Sequence, residues 1–318
     1  MNHSCERNLV IVVHNHRYDP RDFVDIAMRV SRNAPDIKVY VVAASSTCID
    51  LPLDVWRLPT LTVALDPLLI FRPQRGRLLI GRIIEKIEQV ELMKRAGVPV
   101  PNSMLFQIGM SLDPEVWGDF VLLKPAPVEF SSHGKGVQLF RTSKLGSMGL
   151  ENFREDHFAR KHPMIVQEFV DTGEHPSGYR ALVFCGEVLY VLQAVLDTPR
   201  PPLDASDDDL EAAQVATNGG ERTVHFGDYP DVLAFAKRIS AVFPDIPLLG
   251  CDIIRDVVSG KLYALEVNPG GNVWHFSSPM SADRLKTFPY ILRGIHTQFG
   301  AFDVAARALI HSTRLLSM

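Results

Sequence analysis

The sequence has few cysteines and no long hydrophobic run, and both absences narrow the class of protein. Its four cysteines, at positions 5, 48, 185 and 251, show no paired spacing, which argues against a disulfide framework and favours the reducing cytoplasm. No apolar stretch approaches the roughly eighteen residues that a membrane-spanning helix needs, so no membrane partner is expected. The polar start, residues 1–7, leads straight into an apolar strand pattern and does not read as a signal peptide.

A strong excess of one charge is also lacking. The 33 Lys and Arg residues nearly balance the 37 Asp and Glu residues, so nothing indicates a nucleic-acid partner. No glycine-rich fingerprint follows the first strand pattern, which argues against a standard dinucleotide site. With 318 residues, the chain is too long for one ordinary core and predicts two or three subdomains around a cleft.

The first part of the chain has the pattern of a small open α/β domain. A strand pattern, a helical pattern and a second strand pattern follow one another, which implies a right-handed crossover and a parallel sheet. Two shorter strand patterns come next. The ranges are strands at residues 8–13, 37–44, 60–65 and 68–71, with the helix at 22–30.

A polar cluster, His14-Asn15-His16-Arg17, directly follows the first of these strands. Open parallel sheets place ligands at the carboxyl edge of their strands, so the cluster is a candidate ligand contact. A polar connecting loop without a ligand is the alternative.

The most informative stretch is residues 250–272, in which two apolar runs joined by Ser-Gly predict a β-hairpin. Asp252 begins the first run, whereas Glu266 lies inside the second and Asn268 follows two residues later, on the same strand face. Two bare carboxylates about 4 Å apart repel by roughly 4 kcal/mol at an effective dielectric constant of about 20. A hard divalent cation such as Mg²⁺ removes that cost. Carboxylates that face solvent, or pair with Arg255 and Lys261, are the alternative.

The run Glu266-Val-Asn-Pro-Gly-Gly, with an aspartate fourteen residues earlier, resembles the metal-binding end of the ATP-grasp superfamily. That family includes D-alanine–D-alanine ligase, glutathione synthetase and the ribosomal-protein glutamate ligases. The resemblance implies an ATP-grasp fold of the α/β class with α+β lobes. Its expected parts are an N-terminal open parallel α/β domain at residues 1–78, a small lobe with a glycine loop at 79–166, and a large lobe with the metal hairpin and a C-terminal helix at 167–318.

Two lysines of the predicted small lobe match family positions that contact the nucleotide. A helical pattern within residues 76–97 carries Lys86, in the place where several relatives reach the phosphates. An apolar strand at 120–124 ends in Lys124, and a lysine at the end of a buried strand needs an anionic partner. A solvated helix lysine is the alternative for Lys86.

Small residues before a strand at 137–140 resemble the flexible loop that covers phosphates in the family. Glycine lets the backbone approach a ligand, and successive N–H groups can bind an anion. The resemblance implies nucleotide contacts from Ser132, Gly134 and Gly136. An ordinary hairpin is the alternative.

The strand pattern at residues 163–170 resembles the hinge whose backbone binds the adenine edge. Glu174 stands where relatives place an acid on the ribose hydroxyls, and a loop carboxylate is the alternative. The nucleotide contacts implied at the hinge are Gln167, Glu168, Phe169 and Val170.

Arg180 begins a strand–turn–strand pattern at residues 179–193 and matches the arginine of glutamate-ligase relatives. The resemblance implies that it is catalytic. It would stabilise charge during phosphoryl transfer, and its planar fork is suited to anchoring a carboxylate. A strand-end salt bridge is the alternative.

Further expectations concern the second substrate and the rest of the large lobe. We expect the N–H groups of Gly270 and Gly271 to face an anion, and Trp274 with Phe276 to help exclude water. Three acids before a helical pattern read as a solvated helix cap. Those acids are Asp207, Asp208 and Asp209, and longer helices are predicted at residues 231–243 and 301–316.

As function, the resemblance implies ADP-forming ligation of a carboxylate to an amine through an acyl phosphate. ATP and Mg²⁺, with Mn²⁺ as a substitute, are the expected cofactors. Small-molecule or peptide substrates are the expected partners, and the sequence leaves open whether the chain forms a homodimer. A kinase of the same fold that phosphorylates a hydroxyl, and a nucleotide-binding module without turnover, are the alternatives. The intact metal residues argue against the module. Between Gly270 and Ser281 only His275 can be cationic, which argues against a polyphosphorylated kinase substrate.

Overall fold

The computed structural model describes residues 6–14, 16–44, 51–68, 71–126, 136–155, 157–217, 220–278 and 289–317. Four strands of the N-terminal part form a parallel sheet in the order β2-β1-β3-β4. Helix α1 connects β1 to β2, and Asp19 caps it by accepting a hydrogen bond from the Arg21 N–H group. The predicted open parallel α/β architecture is therefore confirmed. The bounds are β1 Arg7–Val13, α1 Pro20–Asn33, β2 Ile37–Ala43, β3 Thr60–Ala64 and β4 Arg77–Ile80.

The helix predicted within residues 76–97 is wrong in its first part. Residues Arg77–Ile80 form strand β4, and helix α2 spans only Lys86–Arg95. Gly76 has a φ of +84°, and a Cβ there would lie 1.7 Å from the Thr60 carbonyl oxygen, so the chain turns tightly into β4 at a position that only glycine fits. A short apolar run fits a buried strand as well as a helical stripe, and pairing with β3 decides between them. The strand predicted at 68–71 is also wrong, since Leu68 and Phe71 lie in no strand.

A second sheet is antiparallel, with the order β5-β8-β6-β7. Its core contains Val121, Leu123, Phe140 and Val166. Strand β6 carries Lys124, and strand β8 carries the predicted adenine hinge. The bounds are β5 Ser103–Leu105, the short helix α3 Pro114–Trp117, β6 Phe120–Pro125, β7 Gln138–Arg141 and β8 Met164–Glu168.

The third sheet has five antiparallel strands in the order β11-β10-β9-β12-β13. The predicted hairpin around the acidic residues is β12 and β13, and helix α5 packs on the sheet through Val232, Phe235 and Ile239. The bounds are β9 Ser177–Phe184, β10 Glu187–Leu196, α4 Asp207–Ala212, β11 Arg222–His225, α5 Pro230–Ala241, β12 Leu248–Arg255 and β13 Leu262–Pro269.

Two helices, α6 (Pro289–Thr297) and α7 (Ala301–Leu316), follow the third sheet. Helix α7 agrees with the predicted final helix, and its buried residues join one core with the parallel sheet, α1 and Trp274. This shared core fixes the carboxyl edge of the parallel sheet against the segment that follows β13. Among the described helices, none has both the length and the apolar composition needed to cross a bilayer.

Candidate active site

The hairpin places the three predicted metal residues together. Asp252 on β12 is the register partner of Glu266 on β13, and Asn268 pairs with Gly250. The Asn268 side-chain amide Nδ2 donates to Asp252 Oδ2 at 2.9 Å. An irregularity in the ladder follows Asp252, where the register shifts by one residue.

Arg180 on the neighbouring strand β9 also binds Asp252. Its Nε lies 2.5 Å from Asp252 Oδ1, and its Nη2 donates to Asp252 Oδ2 at 2.9 Å. A Cβ at position 250 would lie 2.9 Å from Arg180 Nη1, so glycine there leaves room for the guanidinium group. Burial raises the pKa of Asp252 to about 7 and Glu266 adds to the shift, whereas Arg180 and the Asn268 hydrogen bond oppose it.

The chemistry of this donor set fits Mg²⁺. Two carboxylates and a carboxamide supply oxygen ligands, and a cation beside them would favour the charged form of Asp252, which burial disfavours. Among the described residues, no three His, Cys, Asp or Glu side chains surround a common point. The three side chains would therefore leave the coordination shell of Mg²⁺ incomplete, with positions open to water or to substrate oxygens.

Lys124, on strand β6, lies near these carboxylates, and Lys86, at the start of helix α2, lies near Lys124. Lys124 Nζ donates to Gln167 Oε1 at 3.1 Å, and Lys86 Nζ donates to the Pro125 carbonyl at 3.0 Å. Burial lowers the pKa of Lys124 to about 8; Glu266 opposes the shift, and Lys86 adds to it. Because Coulomb interactions weaken with distance, the influence of Glu266 on Lys124 places strand β6 of the second sheet close to the acidic hairpin of the third, and the space between them is called the cleft below.

The predicted adenine hinge is part of strand β8 and its exit. Gln167 is buried and its Nε2 donates to Ser103 Oγ at 2.8 Å. The N–H groups of Glu168 and Phe169 already donate to the carbonyls of Asn102 and Phe120. Within the described residues the Val170 N–H donates to no backbone carbonyl. Unlike Glu168 and Phe169, Val170 therefore has a backbone N–H group that no described backbone carbonyl accepts.

Glu174 is exposed, and its carboxylate accepts no hydrogen bond within the described residues. Its carbonyl accepts from the Arg200 N–H at 2.9 Å, and Arg200 Nη2 also donates to both carboxylate oxygens of Asp171, at 2.9 and 3.0 Å. Arg200 thus fixes the loop that carries Glu174. Sequence reasoning did not identify this arginine, which no local pattern distinguishes from a loop residue.

The glycine loop is only partly within the structure, because Ser132 and Gly134 lie outside the described residues. Gly136 is described and has a φ of +76°. A Cβ at that position would lie 2.9 Å from Phe158 Cδ2, so both the backbone and the packing favour glycine.

Helix α4 lies in the segment from 197 to 222, whose structure the sequence patterns predicted least well, and it contacts the second sheet. Ser206 rather than the acids caps α4, by accepting from the Asp209 N–H. Asp207 pairs with Arg141 Nε at 3.1 Å, and Lys144 pairs with Glu211. The prediction of a fully solvated acidic cap is therefore wrong for Asp207, because a basic patch on the second sheet lies opposite it.

The expectations for the segment after β13 are wrong in two respects. The Gly271 N–H donates to Asp66 Oδ1 at 3.2 Å, and the Gly270 N–H donates to the Leu248 carbonyl, so neither is free for an anion. Trp274 is fully buried in the core with Phe276, and its Nε1 donates to Asp22 at 2.8 Å. The tertiary contact with the parallel sheet turns this segment inward.

A cavity of about 1010 Å³ lies between α5 and α7, beside the turn from β9 to β10. Its lining includes Leu79, Phe243 and Ala308, and it contains none of the predicted site residues. The charged groups of the predicted site lie elsewhere, around Asp252 and Lys124.

No protein-family model and no curated protein sequence matches the chain. Solved structures do match it. D-alanine–D-alanine ligase from Bacillus anthracis is 11% identical, with 97% of this chain and 100% of that chain covered and a TM-score of 0.43. The ATP-grasp ligase PsnB complexed with minimal precursor, Mg and ADP is 14% identical, with 96% and 98% covered and a TM-score of 0.48. The macrocyclase MdnC from Microcystis aeruginosa, bound with precursor peptide MdnA, is 9% identical, with 96% and 100% covered and a TM-score of 0.49.

Each of these TM-scores is below 0.5, and the residue roles proposed below therefore rest on the geometry of this chain. Its own topology has a parallel sheet followed by a four-stranded and a five-stranded antiparallel sheet, with the acidic hairpin in the last. The chain is similar to these solved ATP-grasp ligases over nearly its whole length, at 9–14% sequence identity.

Proposed function

We propose that the chain is an ATP- and Mg²⁺-dependent ligase that joins a carboxylate to an amine. The observation that carries the proposal is the convergence of opposite charges in one cleft. Lys124 comes from the second sheet and Lys86 from the start of helix α2, whereas Asp252 and Glu266 come from the third sheet. A cleft with cations on one wall and carboxylates on the other fits a nucleotide triphosphate and its metal ion.

In this proposal Lys124 and Lys86 bind phosphate oxygens, and Asp252, Glu266 and Asn268 hold Mg²⁺. The ion would neutralise phosphate charge and orient the γ-phosphate. Lys124 is already held by Gln167, so its ammonium group needs little reorganisation to meet a phosphate. The Val170 N–H would donate to the adenine ring.

The reaction proceeds in two balanced steps. A substrate carboxylate attacks the γ-phosphate, the bond to the β-phosphate oxygen breaks, and an acyl phosphate and ADP form. The amine then loses a proton and attacks the acyl carbon, and inorganic phosphate leaves. Arg180, which lies beside Asp252, would stabilise charge that develops during phosphoryl transfer.

The test is to trap the acyl phosphate. The full chain is incubated with Mg²⁺, ATP and a panel of amino acids and small carboxylates, and hydroxylamine serves as the amine. We expect ADP and a hydroxamate in equal amounts for at least one acid. A phosphate ester on a hydroxyl of the product would establish the kinase alternative instead. If no acid in the panel leads to the formation of ADP, the result would contradict both the ligase and the kinase.

The matched variants are Glu266→Gln and Glu187→Gln. Glu266→Gln removes one candidate metal ligand, and we expect turnover to fall by at least about 100-fold while the chain stays folded. Glu187 pairs with Lys237 at the surface and contacts none of the predicted site residues in an ion pair, so Glu187→Gln should retain activity. Equal activity in both variants would contradict the role of Glu266.

A further inference from the structure

A buried aspartate organises the carboxyl edge of the parallel sheet. Asp66 lies two residues after the end of strand β3 and is 4% exposed. It accepts hydrogen bonds from the Tyr18 hydroxyl at 2.6 Å, from Arg17 Nη1 at 3.1 Å and from the Gly271 N–H at 3.2 Å. These bonds fix Arg17, in the loop after β1, against the segment that follows Asn268.

Arg17 is held through only one of its nitrogen atoms. Its Nη1 contacts Asp66 and lies 3.5 Å from Asn272 Oδ1, and its side chain is 41% exposed. Within the residues that the structure describes, its Nε and Nη2 donate to no group. The Nε–Nη2 edge of a guanidinium is the edge that can bind a carboxylate through two parallel hydrogen bonds.

Arg180 has the opposite arrangement. Its Nε and Nη2 both bind Asp252, so the edge that would anchor a substrate carboxylate is already occupied. The anchoring role that the sequence assigned to Arg180 therefore fits Arg17 better. Both arginines border the same hairpin, since Arg17 contacts the segment only four residues beyond Asn268.

We propose that Arg17, held by Asp66, binds a substrate carboxylate other than the one that is phosphorylated. This inference rests on the proposed ligase function, since it places the carboxylate beside the cleft for ATP. The neighbouring polar groups are His14, His16 and Asn272, and Asp66 is the carboxylate with which Arg17 forms an ion pair. Because Asp66 is buried and has three donors, its charge does not prevent an anion from approaching the exposed edge of Arg17.

The carboxylate could belong to either substrate, and two pairs of probes distinguish the sources. Glutarate represents an acid substrate with a second carboxylate, and L- and D-alanine represent an amino acid that supplies the amine. Glutaramide and alaninamide are the matched probes without the carboxylate. Binding is followed by NMR of the arginine Nε–H signals of the full chain, with Mg²⁺ and a non-hydrolysable ATP analogue present.

We expect a saturable shift of the Arg17 Nε–H signal with glutarate, with alanine or with both, and no such shift with the amides. The Arg17→Gln variant should weaken binding of the responding acid by about tenfold or more, because a charged bidentate contact is lost. Arg17→Lys should restore it only in part, since a lysine lacks the planar fork. Arg21→Gln is the control, because Arg21 lies nearby but is exposed and pairs with Asp19.

Three results would overturn the inference: no saturable shift with any acid, an equal response to acid and amide, or unchanged affinity in Arg17→Gln. Titration of the same sample with the Mg²⁺–nucleotide analogue separates the two proposals. If the analogue does not bind while the acid does, the proposed ligase function fails and the carboxylate site stands. If the analogue binds and the acid shows no saturable shift, only the carboxylate site fails.

Discussion

The low pKa of Lys124 predicts a distinctive pH dependence of nucleotide binding. Burial lowers this pKa to about 8 in the chain without nucleotide. A bound triphosphate would place anionic oxygens beside the ammonium group and favour its charged form, so the pKa should return towards its ordinary value of 10.5. Nucleotide binding near pH 8 should therefore take up a proton.

The magnitude follows from the fraction of Lys124 that is already charged. With a pKa of about 8, roughly nine-tenths of the lysine is protonated at pH 7, about half at pH 8 and about one-tenth at pH 9. Binding should thus take up about 0.5 proton at pH 8 and about 0.9 proton at pH 9. The affinity should fall about tenfold between pH 7 and pH 9, which corresponds to about 1.4 kcal/mol.

Isothermal titration calorimetry in buffers of different ionisation enthalpy measures this proton uptake directly. Lys124→Met should abolish the uptake and weaken binding at pH 7 by about 1.5–3 kcal/mol, the contribution of one charged hydrogen bond. Lys144→Met is the matched control, since Lys144 follows strand β7 of the same sheet but pairs with Glu211, which is not a predicted site residue. An affinity independent of pH between 7 and 9, or the same proton uptake in Lys124→Met, would refute the assignment of Lys124 to the phosphates.

Three further predictions concern stability. Without nucleotide, Lys124→Met should raise the free energy of unfolding at pH 7 by up to about 3 kcal/mol, because below its pKa of about 8 the lysine places an unfavourable buried charge in the folded chain. The folded wild-type chain loses this penalty as the pH rises towards 10.5. Denaturant unfolding at pH 7 and pH 10 checks this, and a variant less stable than the wild type at pH 7 would contradict it. Gly271→Ala should destabilise the chain by about 1–3 kcal/mol, because the new Cβ would lie 2.2 Å from Tyr18 Cε1 and 2.6 Å from Asp66 Oδ2. Gly178→Ala is the control and should be tolerated, because the atom nearest to its Cβ would lie at an ordinary 3.5 Å. Equal thermal midpoints of the two variants would count against the tight packing around Gly271. Ser206→Ala should cost about 1 kcal/mol by removing the cap of α4 and should speed proteolysis near residues 203–212, and an unchanged digestion pattern would argue against the cap.

The strand and helix patterns were informative wherever local sequence and tertiary pairing agree. The parallel strands β1, β2 and β3, the hairpin of β12 and β13, and helix α7 were all predicted from apolar periodicity. The same reasoning failed at Arg77–Ile80, because a run of three apolar residues fits both a buried strand and one face of a helix. Only the edge of β3, which offers unpaired backbone groups to that run, makes it a strand.

The candidate site likewise has some features that local spacing predicts and others that only tertiary contacts fix. Spacing alone brings Asp252, Glu266 and Asn268 to one place, because a hairpin fixes which residues face each other across two strands. The sequence spacing could not show that the Nε–Nη2 edge of Arg180 binds Asp252, since those two residues are 72 positions apart in the chain. The domain boundaries and the nucleotide contacts stay predictions.

The sequence by itself determined the class of the fold, the acidic hairpin and the lysine at the end of a buried strand, because each depends on neighbours that are close along the chain. The tertiary structure alone decided the surroundings of these groups. It turned Trp274 and the Gly270–Gly271 turn inward, gave Asp66 its three donors, and left one edge of Arg17 exposed. These outcomes depend on how the parallel sheet packs against the segment after β13, a contact between residues about 200 positions apart that no local pattern records.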